Sequence, residues 1–197
     1  MPSGQLTKRR ALFQLAARQH GYVTAAQAVE AGYSHQAQKY HVDRGNWVRV
    51  DRAVFRLLDW PAHPEDHLVR WVLWSGGLGV VSHASALSVH DLGDLDPAKV
   101  HLSVPARFRR SASEIVLHRP LPPDIDIEDR EGFRVTTPSR ALAECAQARI
   151  EQHWLDGAVA EALSRGLTTP RRLRAAATEL GVAAELGAHV ALEAAGR

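Results

Sequence analysis

Two histidine-bearing stretches hold side chains that could do covalent or metal chemistry. His63 and His67 stand four residues apart, the spacing at which two imidazoles on one helix face would share a zinc ion. Pro64 shifts His63 to the cap of that helix and no glutamate follows it, so the pair is not read as a metal site. Further on, Ser82, His83, Ser85, His90 and Asp91 have the residue types of a serine hydrolase, but there is no G-x-S-x-G elbow and Ser82 is placed to cap a helix. Gly76-Gly77-Leu78-Gly79 lacks the Lys-Ser/Thr that a phosphate loop requires. The single cysteine, Cys145, sits among Ala141, Leu142, Ala143 and Ala146 and reads as a buried small hydrophobe. No catalytic residue, cofactor or metal is therefore expected, and the chain does not read as an enzyme.

Recognition of a polyanion is better supplied. Residues 1–56 carry nine Lys or Arg against three acids, a net of +6, in a 197-residue chain whose total is only +2. The candidate DNA-contacting residues are Lys8, Arg9, Arg10, Ser34, His35, Gln36, Lys39, Arg49 and Arg52. Gln36 and Lys39 suit base edges, glutamine pairing with adenine and lysine with guanine, whereas Arg49 and Arg52 suit phosphate. A second basic group, Arg165 with Arg171, Arg172 and Arg174, includes three charges in the first turn of a helix. The dipole opposes them there by a few tenths to about 1 kcal/mol each. Either solvent screens that cost away, or the patch meets an acidic partner surface or further DNA.

The elements that must position these residues follow from local chemistry. Leu6 to His20 has Leu12, Leu15 and Ala16 on one helical face. Thr24 caps a short helix that stops at Gly32, and Ser34 caps a second one, His35 to Arg44, ended by Gly45-Asn46. Ala37, Tyr40, His41 and Arg44 share one stripe of that second helix, which turns Ala37, Tyr40 and His41 inward and His35, Gln36, Gln38, Lys39, Val42 and Asp43 outward. Trp47 to Val50 and Val54 to Leu57 alternate around Asp51-Arg52-Ala53 as a hairpin. Helix, turn, helix and hairpin in this order make a winged helix-turn-helix whose second helix fits a major groove.

Trp60-Pro61-Ala62-His63-Pro64 marks a boundary, giving a DNA-binding domain over residues 1–60 and a second domain over 61–197. The second domain reads as helix Pro64 to Trp74, a helix from Ser82 to about His90, and strands Val100 to Val104, Ile115 to His118 and Phe133 to Thr136. Helices then start at Thr137-Pro138, His153, Thr169-Pro170 and Val182. The class is α+β, a small sheet packed by helices. No apolar run reaches the roughly 20 residues of a membrane helix and no signal-peptide core follows the N-terminal cations, so a cytoplasmic, non-membrane protein is expected.

Several runs together resemble the AbiEi-type antitoxins of bacterial type IV toxin-antitoxin, or abortive-infection, systems. They are Val23-Thr24, Gly32-Tyr33-Ser34, Tyr40-His41, Gly45-Asn46-Trp47, Val48-Arg49-Val50 and Val54-Phe55-Arg56-Leu57 in the first domain. In the second they are Val81-Ser82-His83-Ala84-Ser85-Ala86-Leu87, Val100-His101-Leu102-Ser103-Val104-Pro105 and Val135-Thr136-Thr137-Pro138-Ser139-Arg140-Ala141-Leu142. The resemblance spans residues 6 to about 148 and departs at the hairpin tip, where Ala53 stands in place of the usual glycine. It implies an autorepressor of its own operator DNA whose second domain counteracts a nucleotidyltransferase-like toxin. Two other readings stay open. One is a stand-alone winged-helix regulator with a sensing or dimerising second domain; the other, a nuclease-like enzyme, lacks an acid cluster with metal-site spacing.

Overall fold

The computed structural model describes residues 3–196. The chain divides into two compact units, Met1–Gly79 with Arg130–Phe133, and Val80–Asp129 with Arg134–Arg197.

In the first unit, helices α1 (Ser3–Ala17), α2 (Ala25–Glu30) and α3 (His35–Asp43) surround a three-stranded antiparallel sheet in the order β1 (Tyr22–Thr24), β3 (Val54–Leu57), β2 (Trp47–Asp51). Leu12, Ala16, Val23, Ala28, Trp47 and Phe55 form its core, with Leu15, Tyr33 and Val42 packed against them. Thr24 and Gln27 make a reciprocal capping box at the start of α2, two orphan donors satisfied at once. β1 is a strand that residue patterning does not announce: three residues are too few for an alternation to register, yet they pair with Val54 to Arg56 and close the sheet.

The hairpin turns at Arg52-Ala53, between the paired residues Asp51 and Val54, and its register shifts between Arg49 and Asp51. Ala53 holds a φ of +63°, the left-handed region that a glycine would occupy without penalty. The tip thus keeps the backbone of a glycine turn with an alanine in it.

The division falls after Gly79 and not after Trp60. Helix α4 (Asp66–Trp74) follows the prolines but is tied back to the winged unit, with Asp66 bonded by Arg56 at 3.0 Å and Asp51 by Arg70 at 3.3 Å. The prolines interrupt secondary structure without ending the packing, and composition signals only the first of these.

In the second unit, strands run in the order β6 (Ile115–His118), β5 (Val100–Ser103), β4 (Val80–Val81), β8 (Phe133–Thr136), β7 (Ile127–Arg130). β4 is antiparallel to β5 and parallel to β8, while β5 and β6 are parallel. β4 is two residues long and β7 carries Glu128, Asp129 and Arg130, so both read as loop from composition. Helix α5 (His83–Val89) packs on α6 (Pro138–Gln147), and α6 in turn lies among α7 (Gln152–Ser164), α8 (Pro170–Leu180) and α9 (Val182–Ala195). Small side chains permit this approach: a Cβ added at Gly187 of α9 would stand 3.0 Å from that of Ala146 on α6. Cys145 is wholly buried among these helices, and burial pushes its thiol pKa up, which makes it an inert packing group.

Candidate nucleic-acid interface

Helix α3 begins at Ser34, whose hydroxyl accepts from the Ala37 amide at 3.2 Å. His35, Gln36, Lys39, Tyr40 and Asp43 are exposed, and at a spacing of one, four, five and eight residues they form one continuous stripe. Gln36 and Lys39 therefore lie on the outward face, Lys39 paired with Asp43 one turn on.

The inward face differs from its expected phase by about one residue. Gln38 is buried at 3% exposure, with His41 and Val42 half-buried beside it, while Tyr40 is 54% exposed. Gln38 Nε2 donates to the carbonyls of Tyr33 and Ala25, both at 3.0 Å, one before α3 and one at the start of α2. A polar residue occupies the inward position because it satisfies backbone acceptors in the turn, a reason no hydrophobic pattern reveals. Tyr40 stands on the outward side for the converse reason, its ring counting as core in a hydrophobic pattern although it is exposed. Arg44 lies over that ring, 5.4 Å from its centroid.

His41 stacks on Trp47, with centroids 4.9 Å apart and planes at 12°, and its Nδ1 lies 3.2 Å from the Asn46 side-chain nitrogen. Burial lowers its pKa, so it packs as a neutral ring.

Cations flank the stripe from two sides. Lys8, Arg9 and Arg10 are exposed on α1. The stem of Lys8 crosses Gly32, whose φ of +94° is what makes the turn between α2 and α3 need glycine. Arg9 is close enough to Tyr33 to counter part of the rise that burial imposes on that phenol's pKa. Between α1 and α3 lies a cavity of about 1080 Å³, lined among others by Lys8, Arg9, Phe13, Gln36 and Tyr40. On the wing, Arg49 is exposed with its guanidinium 5.4 Å from the Phe55 centroid, and Arg52 is exposed at the tip. Arg56, one of the nine cations, instead turns to Asp66 and the Pro61 carbonyl.

In the second unit, Arg165 bonds Glu161 at 3.0 Å and the Asp91 carbonyl. Of the basic group expected with it, Arg171, Arg172 and Arg174 are exposed on α8 and have no ion pair among the described residues, and Arg165 is exposed as well. His63 Nδ1 accepts from the Glu65 amide at 3.2 Å, and His67 Nδ1 lies 3.1 Å from the Pro64 carbonyl, so the two rings serve separate backbone partners. Ser82 does not cap α5 with its side chain. Its Oγ accepts from Ser103 Oγ, and the carboxylate of Glu144 receives the His83 amide instead. Ser82 Oγ and Glu144 Oε2 approach the same nitrogen of His83, Nδ1, so they do not form a serine-histidine-acid relay across the ring. Ser85 accepts from the His101 amide, and His90 Nε2 lies 2.8 Å from the Thr136 carbonyl.

Residues 10–57 match the family described as "Transcriptional regulator, AbiEi antitoxin". That span runs from α1 through the end of β3 and contains the whole helix-turn-helix and wing, the fold of a DNA-binding regulator. Among solved structures, the RV2827C protein from Mycobacterium tuberculosis matches with a TM-score of 0.62 at 15% identity, over 97% of this chain and 78% of its own, a likeness of fold. No curated protein sequence matches the chain. Among the described residues no helix is long and apolar enough to cross a membrane.

Proposed function

We propose that the chain is a transcriptional autorepressor and antitoxin: the winged unit binds operator DNA at its own promoter, and the second unit counteracts a nucleotidyltransferase-like toxin. The observation that carries the DNA half is the exposed stripe His35, Gln36, Lys39, Tyr40 and Asp43, set between exposed cations of α1 and of the wing. Such a helix docks in the major groove with its first turns at the base edges, while α1 and the wing engage flanking phosphates. Of the expected contacts, Gln36, Lys39 and His35 read sequence, and Lys8, Arg9, Arg10, Arg49 and Arg52 hold the backbone, with Ser34 fixing the start of the helix.

The antitoxin half rests on the AbiEi resemblance, with exposed Arg171, Arg172 and Arg174 as the candidate partner-facing residues. Two measurements test the pair of roles. Titration of the full chain with its own upstream DNA and with a random duplex should show a clear preference for the former; equal affinity for both sinks the repressor role. Co-expression with an adjacent nucleotidyltransferase-like gene should restore growth, and Arg171→Glu/Arg172→Glu should weaken that rescue. Unchanged toxicity in the presence of the full chain means that the antitoxin role must be given up.

A further inference from the structure

We propose that His83, His101 and His118 form a binding site in the second unit for one divalent transition-metal ion of the zinc class. His83 is the first residue of α5, His101 lies on β5 and His118 on β6. β5 and β6 are parallel, with His101 opposite Val116 and Ser103 opposite His118, so the two histidines are diagonal neighbours on the same sheet face. The backbone amide of Ser82 donates to the His101 carbonyl at 3.1 Å, which continues the β4–β5 pairing and sets the start of α5 beside His101.

Each residue offers one ring nitrogen, and the three lie within 4.8 Å of one another. His118 Nε2 and His101 Nδ1 are 3.1 Å apart. A tetrahedral zinc with Zn–N bonds of 2.0–2.1 Å needs nitrogens about 3.3 Å apart, so these two are already at coordination spacing. His83 stacks on His118, with centroids 3.4 Å apart and planes at 15°. Because a metal lies in the plane of each imidazole that binds it, His83 must turn out of the stack, bringing its nitrogen in by about 1.5 Å.

The surroundings suit the ion. His83 Nδ1 has Ser82 Oγ at 3.0 Å and Glu144 Oε2 at 3.6 Å, the serine and carboxylate partners that orient a ligating imidazole and fix its tautomer. Glu144 is itself held by Arg140 Nε at 3.0 Å and Thr136 Oγ1 at 3.3 Å, so its position does not depend on the metal. The nitrogen-only donor set selects zinc-class ions over magnesium or calcium, which demand oxygen. His101 and His118 are half-buried, so a fourth position opens to water or to an exchangeable ligand.

The test uses the untagged full chain, stripped with chelator and titrated with Co2+ and then with Zn2+ against a chromophoric competitor. One equivalent of Co2+ should give the ligand-field absorption of a tetrahedral site, and Zn2+ should displace it and raise the thermal midpoint. Ser82→Ala, which frees the oriented ring without removing a ligand, should weaken Zn2+ binding by about ten- to a hundredfold, and His101→Gln should weaken it further. His63→Ala/His67→Ala should leave it unchanged. Failure of the wild-type chain to bind a stoichiometric ion overturns the site whatever the variants do. So does full binding in a His101→Gln/His118→Gln chain whose circular dichroism is that of the wild type, or loss of binding on changing His63 and His67.

Discussion

Gln38 of α3 reaches back to Ala25 at the start of α2, its Nε2 donating to the Ala25 carbonyl at 3.0 Å while also serving Tyr33. One buried amide thereby fixes the angle between the two helices of the DNA-binding motif. Gln38→Leu fills the space but removes the donor that both part-buried carbonyls share, a cost of about 0.5–1.5 kcal/mol for each bond lost. The urea-melt midpoint should fall accordingly and operator affinity should fall with it. A variant as stable as the wild type removes the staple from the account.

Ala53 at φ +63° pays the steric cost of a left-handed residue with a side chain, of order 1–2 kcal/mol, against which glycine's extra unfolded-state freedom weighs somewhat less. Ala53→Gly should therefore stabilise the chain by about 0.5–1 kcal/mol in a thermal or urea melt. Because Ala53 presents only a methyl group at the tip, affinity for operator DNA should not change. A loss of stability means that the turn is not held in this conformation in solution.

Phosphate holding and base reading should separate by mutation and by salt. With about five cations on phosphate, the log-log slope of affinity against salt is near −4.5, and a rise from about 50 to 200 mM should weaken binding by roughly 500-fold. Arg52→Ala should weaken all duplexes alike and make the slope shallower by about one. Gln36→Ala and Tyr40→Ala should instead narrow the gap between operator and random DNA, Gln36→Ala by about 1–3 kcal/mol. Competition anisotropy reads both quantities. A changed specificity ratio for Arg52→Ala with none for Gln36→Ala reverses the assignment.

Acid should weaken the winged unit through His41. Burial holds its folded pKa below the ordinary 6.5, so the unfolded chain takes up the proton first. Stability from this group is whole above pH 6.5 and is lost as pH falls from there toward the folded value. His41→Phe preserves a ring against Trp47 and cannot titrate. Its melts between about pH 7.5 and 5 should decline less than those of the wild type, other histidines being common to both. Equal declines would place the acid sensitivity elsewhere.

What the sequence makes legible here is what short-range rules govern. Thr24, Ser34, Thr137 and Thr169 each accept from an amide of their helix, as their types and positions indicate. Leu12 and Ala16 face the core as periodicity requires. The misplaced residues are those whose surroundings come from distant chain. Gln38 is buried because Ala25 offers a carbonyl, and Ser82 turns from its helix because Ser103 is beside it. Nothing in the sequence joins His101 to His118, since only the pairing of β5 with β6 makes them neighbours. An even spacing within each strand gives no sign of that register.

Residues 130–133 lie with the first unit although the chain on either side belongs to the second. The polypeptide therefore passes between the units three times, and the first unit is not finished when its winged helix is. During synthesis the recognition helix and wing leave the ribosome more than seventy residues before Gly132, whose backbone closes against Val69 and the Arg18 carbonyl. A nascent chain stalled early thus exposes a DNA reader still lacking its last contacts. For the same reason this reader cannot be moved to another protein by a single cut, because part of it is encoded within its neighbour.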